Sequence, residues 1–346
     1  MHTMVARTLK IVAAAAIMLG LAWLAMAADA GMFIPHDGRF SVQPGQFTPD
    51  VLAGEKKVID LGRWKVAYVD VGQGEPVILL HGCPFSAYEW NKIIPVLARK
   101  YRVIAPDLIG LGDTPVRLND DYRLPQDVDM VRALMDGLGL KSARFIGHDH
   151  GGAVVQLLVQ RDPGRIDMAI LTNVEAYDQW PSKPETPDLH LITNPLTSPL
   201  LYEAVKLKAV ERELYSIAVA NPATLTDQTL DGLADPLVKG GLRWQRTRRF
   251  VAEQLDPTNT RLTLEALPAM RRFTRPVLIV WGQQDTNFGP KIALRLAHDI
   301  PGAVGVHWMT HSAHLPMLEE PDAYAAVALR FFANGTATDD ERAAAR

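Results

Sequence analysis

Phe145-Ile146-Gly147-His148-Asp149-His150-Gly151-Gly152 sets an apolar run against a polar residue framed by glycines and then opens a helical pattern. That order spells a strand, a sharp turn and a helix, the G-x-S-x-G arrangement that lifts a nucleophile out of the backbone, with Asp149 where serine usually stands. The glycines have a mechanical reason: at so sharp a turn, flanking Cβ atoms would collide and only the central side chain can project. Asp149 is therefore the candidate nucleophile. The framework it needs is a sheet strand with a helix packed behind it.

Working outward, short apolar runs alternate with helical patterns, which predicts an α/β fold with a mainly parallel sheet and helices on both faces. Residues 57–61 and 64–70 read as an antiparallel pair; later strands are expected at 77–80, 103–105, 143–146, 166–171, 277–280 and 304–308. Helices are expected at 88–98, 126–138, 152–161, 291–298 and 321–332. The rhythm breaks over 173–267, which is rich in proline and has helical patches at 200–220 and 242–255, so a helical cap inserted in the α/β unit is expected there. The core then comprises 28–172 and 268–334, after a Pro/Gly-rich lead-in at 35–49, and the tail 335–346 is expected to fray.

With 48% hydrophobic and 22% charged among 346 residues, the chain is neither disordered nor collagen-like. A net charge of −3, from 36 basic and 39 acidic side chains, lacks the excess a nucleic-acid binder needs, so the expected partners are a small apolar substrate and water. Cys83 is the sole cysteine, which forbids an intrachain disulfide, and no Cys/His spacing of a structural zinc site occurs. Arg7 and Lys10 precede an uncharged apolar run at 11–28, and Ala25-Met26-Ala27 offers a small-x-small cleavage site. Residues 1–27 thus read as a signal peptide of a periplasmic or secreted protein. The alternative is a retained membrane anchor, the one route to membrane contact.

Two partners follow Asp149 in the order acid, then histidine. Asp285 lies just beyond the run 277–280, and His314 lies between the last strand and the closing helix. His81-Gly82-Cys83-Pro84 follows the strand at 77–80, so the backbone N–H groups of Cys83 and His150 are the natural oxyanion donors; Pro84 has none to give. A carboxylate is already ionised at neutral pH and needs no base to displace a leaving group from saturated carbon. The resulting ester must be hydrolysed, with His314 as general base and Asp285 holding it.

These residues resemble the aspartate-nucleophile branch of the α/β-hydrolases, most closely haloalkane dehalogenases and next epoxide hydrolases. The resemblance spans 57–333 and is carried by His81-Gly82-Cys83-Pro84-Phe85-Ser86-Ala87-Tyr88-Glu89-Trp90, by Pro106-Asp107-Leu108-Ile109-Gly110-Leu111-Gly112-Asp113 and by 147–152. It implies an alkyl ester on Asp149, Asp285 as the acid and no metal or organic cofactor. Glu175 stands where one dehalogenase subgroup carries its acid instead. Many dehalogenases hold halide with an asparagine where Cys83 stands and a tryptophan where His150 stands. A leaving-group donor must then come from His150, from Trp180 or Trp244, or, as in epoxide hydrolases, from a cap tyrosine: Tyr177, Tyr202 or Tyr215. A metal cluster around His148, Asp149, His150, His311 and His314, and a non-catalytic small-molecule binder, are the competing readings.

Overall fold

The computed structural model describes residues 2–37 and 56–345, so the lead-in from residue 38 to 49 lies outside the described residues. Among these residues eight strands form one sheet: β1 (Lys56–Asp60), β2 (Lys65–Val71), β3 (Pro76–Leu80), β4 (Arg102–Pro106), β5 (Ala143–His148), β6 (Ile166–Thr172), β7 (Val277–Gly282) and β8 (Ala303–Met309). Their order is β1-β2-β4-β3-β5-β6-β7-β8. β2 pairs antiparallel with β1 and β4, and every later pairing is parallel. Each of the eight apolar runs is thus a strand, displaced at its ends by a residue or two.

The central strands are buried on both faces, as a helix-covered parallel sheet requires. The strand alternation sorts their side chains: Ile78, Leu80, Phe145, Leu171 and Ile279 join one core, while Val77, Leu79, Ile146, Ile170 and Leu278 join the other. The first core is covered by α3 (Leu124–Gly137), α4 (Asp149–Arg161), α11 (Leu262–Met270) and α12 (Pro290–Asp299); the second is covered mainly by α13 (Pro316–Glu319) and α14 (Pro321–Asn334). The helix expected at 88–98 divides into a single tight turn, Ala87–Trp90, and a short α2 (Ile94–Leu97) that starts where Pro95 fits the first turn.

Between β6 and β7 the chain is helical: α5 (Thr186–Thr193), α6 (Ser198–Ala204), α7 (Lys208–Ser216), α8 (Asp227–Val238), α9 (Gly241–Gln254), α10 (Pro257–Thr260) and then α11. The patch at 200–220 is two helices, α6 and α7. The sequence reading missed α8, because Gly232 and Pro236 weaken its helical signal. Gly232 earns its place by packing, since a Cβ there would lie 2.0 Å from the Tyr88 ring.

Buried charges tie this insertion to the sheet. Lys56 Nζ lies 2.5 Å from Asp107 Oδ2 and 2.7 Å from Asp113 Oδ2, and Arg243 of α9 donates to Asp113 Oδ1 at 2.7 Å. Each cation here has an opposite charge at contact distance, the condition under which burial of ions is tolerated.

The C-terminal tail departs from expectation. Rather than fraying, residues 339–344 form α15 (Asp339–Ala344), with a reciprocal capping box between Thr338 and Glu341. Glu341 is buried, accepts from the His307 ring of β8 at 2.8 Å and pairs with Arg330. The acidic first turn and this anchoring to β8 and α14 hold the tail down.

Candidate active site

The elbow is built as its sequence requires. β5 ends at His148, α4 begins at Asp149, and Asp149 sits at φ +50°. Left-handed backbone at a non-glycine residue is strained and concentrates at functional sites. The helix can approach because Gly151 has no Cβ: one built there would meet the Leu80 carbonyl oxygen at 2.1 Å.

Asp149 uses its two oxygens differently. Oδ1 accepts the backbone N–H of Cys83 at 2.7 Å and that of His150 at 2.5 Å. Oδ2 lies 3.3 Å from His314 Nε2, and His314 Nδ1 lies 3.0 Å from Asp285 Oδ2. The three residues expected to act together therefore meet, on loops at the carboxyl ends of β5, β7 and β8, and the expected N–H pair converges on one oxygen. Asp285 is held further by the backbone N–H groups of Asn287 (2.8 Å) and Phe288 (3.2 Å) and by the Asn173 amide, which donates to Oδ2 at 2.6 Å.

Asn173 was missed in the sequence. It follows β6 directly at φ +43°, donates to Asp285 and accepts the Gly282 N–H at 2.9 Å through its carbonyl, so it locks two strand ends together. Asparagine tolerates left-handed backbone, and an Asn at the carboxyl edge of a central strand was the available signal.

The electrostatics are those of an ion pair. Burial alone would raise the Asp149 carboxyl, but the hydrogen bond and charge of His314, the charge of His148 and the Cys83 N–H hold it below the usual carboxylate range. Burial would depress His314, but the charges and hydrogen bonds of Asp285 and Asp149 hold it well above the ordinary imidazole value. His148 turns away beneath the elbow, its ring 3.2 Å from Glu89 Oε2 and 2.9 Å from the His314 carbonyl. Among the described residues no group of three or more His, Cys, Asp or Glu side chains is arranged to hold a metal ion.

Glu175 does not reach His314. Its Oε2 lies 3.0 Å from His150 Nδ1, and His150 Nε2 lies 3.4 Å from Asp127 Oδ2, while Asp285 fills the place beside His314. Two carboxylates on one ring demand the imidazolium: burial opposes it, but Glu175 and Asp127 push His150 up to about 10. Burial in turn pushes Glu175 up to about 7 against the pull of His150.

A cavity of about 180 Å³ lies between Asp149 and the cap, lined largely by apolar side chains such as Phe85, Leu189, Ile192 and Leu237. The candidate leaving-group donors fare differently around it. Both His150 nitrogens are engaged by carboxylates. The Trp180 indole donates to Thr263 Oγ1 at 3.0 Å, and Trp244, although it lines the cavity, donates to Ser198 Oγ at 3.0 Å. The Tyr177 hydroxyl donates to Asp299 Oδ2 at 3.1 Å, and Tyr202 packs on Trp244 outside the cavity lining. Tyr215 lines the cavity against Phe85, and burial raises its phenol above the usual value. Glu185 also lines it, an unforeseen carboxyl pushed up to about 7 by burial, with Ser182 and Asn287 donating to it at 2.7 and 2.6 Å.

Comparison with known proteins agrees with this fold. The family model described as alpha/beta hydrolase fold matches residues 75–321. Haloalkane dehalogenase 2 of Mycobacterium tuberculosis is 27% identical over 297 residues, covering 83% of this chain and 98% of that protein. A cis-3-alkyl-4-alkyloxetan-2-one decarboxylase of Shewanella oneidensis is 27% identical over 277 residues, 75% of this chain and 82% of that one. A soluble epoxide hydrolase of a Corynebacterium species is 46% identical over 93 residues, 26% of this chain and 32% of that one. The chain belongs to the α/β-hydrolase fold family, as a hydrolase similar to haloalkane dehalogenases and epoxide hydrolases.

Proposed function

We propose that the chain hydrolyses small apolar electrophiles through an ester on Asp149, and that strained oxygen rings of the epoxide class suit its cavity better than haloalkanes. The carrying observation is the division of labour at Asp149. Oδ1 is seated on two backbone N–H groups, and Oδ2 is left toward His314.

In the first step Oδ2 attacks a ring carbon. The C–O bond breaks with its pair on the ring oxygen, which takes the proton of the Tyr215 hydroxyl. Esterification removes the negative charge that helped hold the proton on His314, so that proton passes to the tyrosinate and leaves a neutral base. In the second step His314 Nε2 takes a proton from water as the water oxygen attacks Cγ of Asp149. The oxyanion forms on Oδ1, where the N–H groups of Cys83 and His150 already point. Collapse releases the diol and restores the Asp149–His314 ion pair. The balance is one ring plus one water to one diol.

The haloalkane reading keeps the same nucleophile and base, and the long alignment with the mycobacterial dehalogenase supports it. It asks for N–H donors to a departing halide, however, and the three candidate rings, His150, Trp180 and Trp244, donate elsewhere. Two of the relatives are named for oxygen rings, an epoxide and an oxetanone, which supports the alternative. The test is turnover of 1,2-epoxybutane, read as diol, beside bromide release from 1-bromobutane. Diol formation as the faster reaction is expected; bromide release without diol formation would assign the chain to the haloalkane class.

A further inference from the structure

The N-terminal helix α1 (His2–Asp29) is one continuous helix whose segment Val12–Asp29 is long and apolar enough to cross a membrane. Eighteen residues at 1.5 Å each span roughly 27 Å, close to the hydrocarbon thickness of a bilayer. Residues 12–22 stand clear of the body of the protein, exposed on every side, with Leu19 73% exposed.

The other end of the helix is built into the cap. Ala27 and Ala30 are fully buried, and Ala30 packs with Tyr202 and Trp244, the latter a wall of the cavity. The Ala30 carbonyl accepts from Gln245 at 2.6 Å, Asp29 pairs with Lys206 at 2.5 Å, and Trp23 donates to the Leu196 carbonyl at 3.2 Å. A Cβ on Gly31 would meet the Gly241 carbonyl oxygen at 2.5 Å, so the two backbones touch. Two of these contacts, the burial of Ala27 and the Trp23 bond, lie within the segment that cleavage after Ala27 would discard, and a leader has no need of them.

The cap surface beside this junction carries exposed apolar side chains next to the Glu203–Lys206 pair. Leu196 is 68%, Leu200 50% and Leu207 61% exposed, and Leu191 and Phe33 are exposed as well. Leu196 itself touches α1, through the Trp23 indole, and Leu207 adjoins Lys206, which pairs with Asp29. Large apolar side chains scattered singly mean little, but these lie on the α5–α7 stretch that carries the contacts of an apolar helix of bilayer length. The same helices also wall the cavity: Leu189, Leu191 and Ile192 of α5 and Leu201 of α6 line it.

We propose that α1 is retained as a membrane anchor and that the cap face bearing Leu196, Leu200 and Leu207 rests in the bilayer surface, so that α5 and α6 separate lipid from the cavity. The Asp29–Lys206 pair then lies at the water boundary, where charges belong, and the Trp23 indole, about 9 Å further in along the helix, is satisfied by the Leu196 carbonyl. Arg7 and Lys10 place the N-terminus on the cytoplasmic side and the enzyme on the opposite one. An apolar substrate dissolved in the lipid reaches the cavity past the same helices. The docking does not depend on the chemistry at Asp149, and its test reads no activity.

The full chain, made with its own N-terminus, is purified from the membrane fraction, weighed intact and reconstituted in phosphatidylethanolamine–phosphatidylglycerol vesicles carrying a diazirine-tagged acyl chain. Peptide mapping after illumination should place label on 12–24 and also on 191–207, with little on the far loop at Lys141. Replacing Leu196, Leu200 and Leu207 together by Lys should remove most of the label on 191–207 while that on 12–24 persists. A chain that has lost residues 1–27 would overturn the proposal. So would label confined to α1, which would make the helix a bare tether.

Discussion

Two buried histidines of this molecule each stand between two carboxylates, and they are built for opposite ends. His314 lies between Asp149 and Asp285, and His150 lies between Glu175 and Asp127. At the first, both acids have other donors: Asp149 takes two backbone N–H groups, and Asp285 takes two more and an amide. His314 can therefore change protonation without stranding a charge, and one of its partners faces the cavity, where its charge can be consumed by alkylation. At the second, both ring nitrogens are committed, Asp127 takes one backbone N–H, that of Ile109 at 2.8 Å, and Glu175 leans on the ring, so the cation neutralises two buried acids in the wall behind the nucleophile. The same residue types make a proton-transfer site in one place and a strut in the other; what differs is who else holds the carboxylates.

The sharpest way to break this comparison is to remove each ring. His314→Ala should lower kcat by about 10⁴-fold or more, the scale seen when a triad member is lost, while the thermal midpoint changes little. Rate loss with equal loss of stability would erase the distinction. His150→Gln should instead cost about 3–5 kcal/mol of stability in chemical denaturation, because two buried carboxylates lose their counter-charge.

The pH dependence of that second effect has a definite sign. The folded protein raises His150 from its ordinary value near 6.5 to about 10, so the ring's contribution is complete below about pH 6.5 and fades as pH rises through about 10. The stability gap between parent and His150→Gln should therefore narrow across that window. A gap that widens with pH would mean that the ring is neutral.

Smaller changes sharpen the chemistry. Tyr215→Phe should reduce diol formation about 10²-fold, the lower range for a lost general acid, whereas Trp180→Phe and Trp244→Phe should leave kcat near the parent value. An indole substitution with the larger effect would move the leaving-group site across the cavity. Asn173→Ala should give the mildest loss, about tenfold in kcat at unchanged KM, because it loosens Asp285 without touching substrate.

The core was legible because its signals are local. Apolar runs buried on both faces announce strands, and the glycines at 147 and 151 announce an elbow whatever lies around them. The order of Asp149, Asp285 and His314 could be read for the same reason: each sits next to a strand end. Long-range pairing left no such mark. Nothing near His150 in sequence shows that Asp127 of α3 and Glu175 beyond β6 converge on its ring, so it read as a leaving-group donor and Glu175 as a spare acid. The cap was harder still: α8 hides behind Gly232 and Pro236, and which tyrosine faces the cavity depends on how seven helices stack. The tail was misjudged because Glu341 finds His307 and Arg330, partners that composition cannot reveal.

The central claim is that Asp149 becomes an ester that His314 is needed to hydrolyse. The direct measurement is peptide mass spectrometry of the His314→Ala variant after incubation with 1,2-epoxybutane. A hydroxybutyl mass on the peptide carrying Asp149, absent when Asp149→Asn is added, is the predicted result. A folded variant with no adduct, or with the adduct on Cys83 instead, would contradict the account.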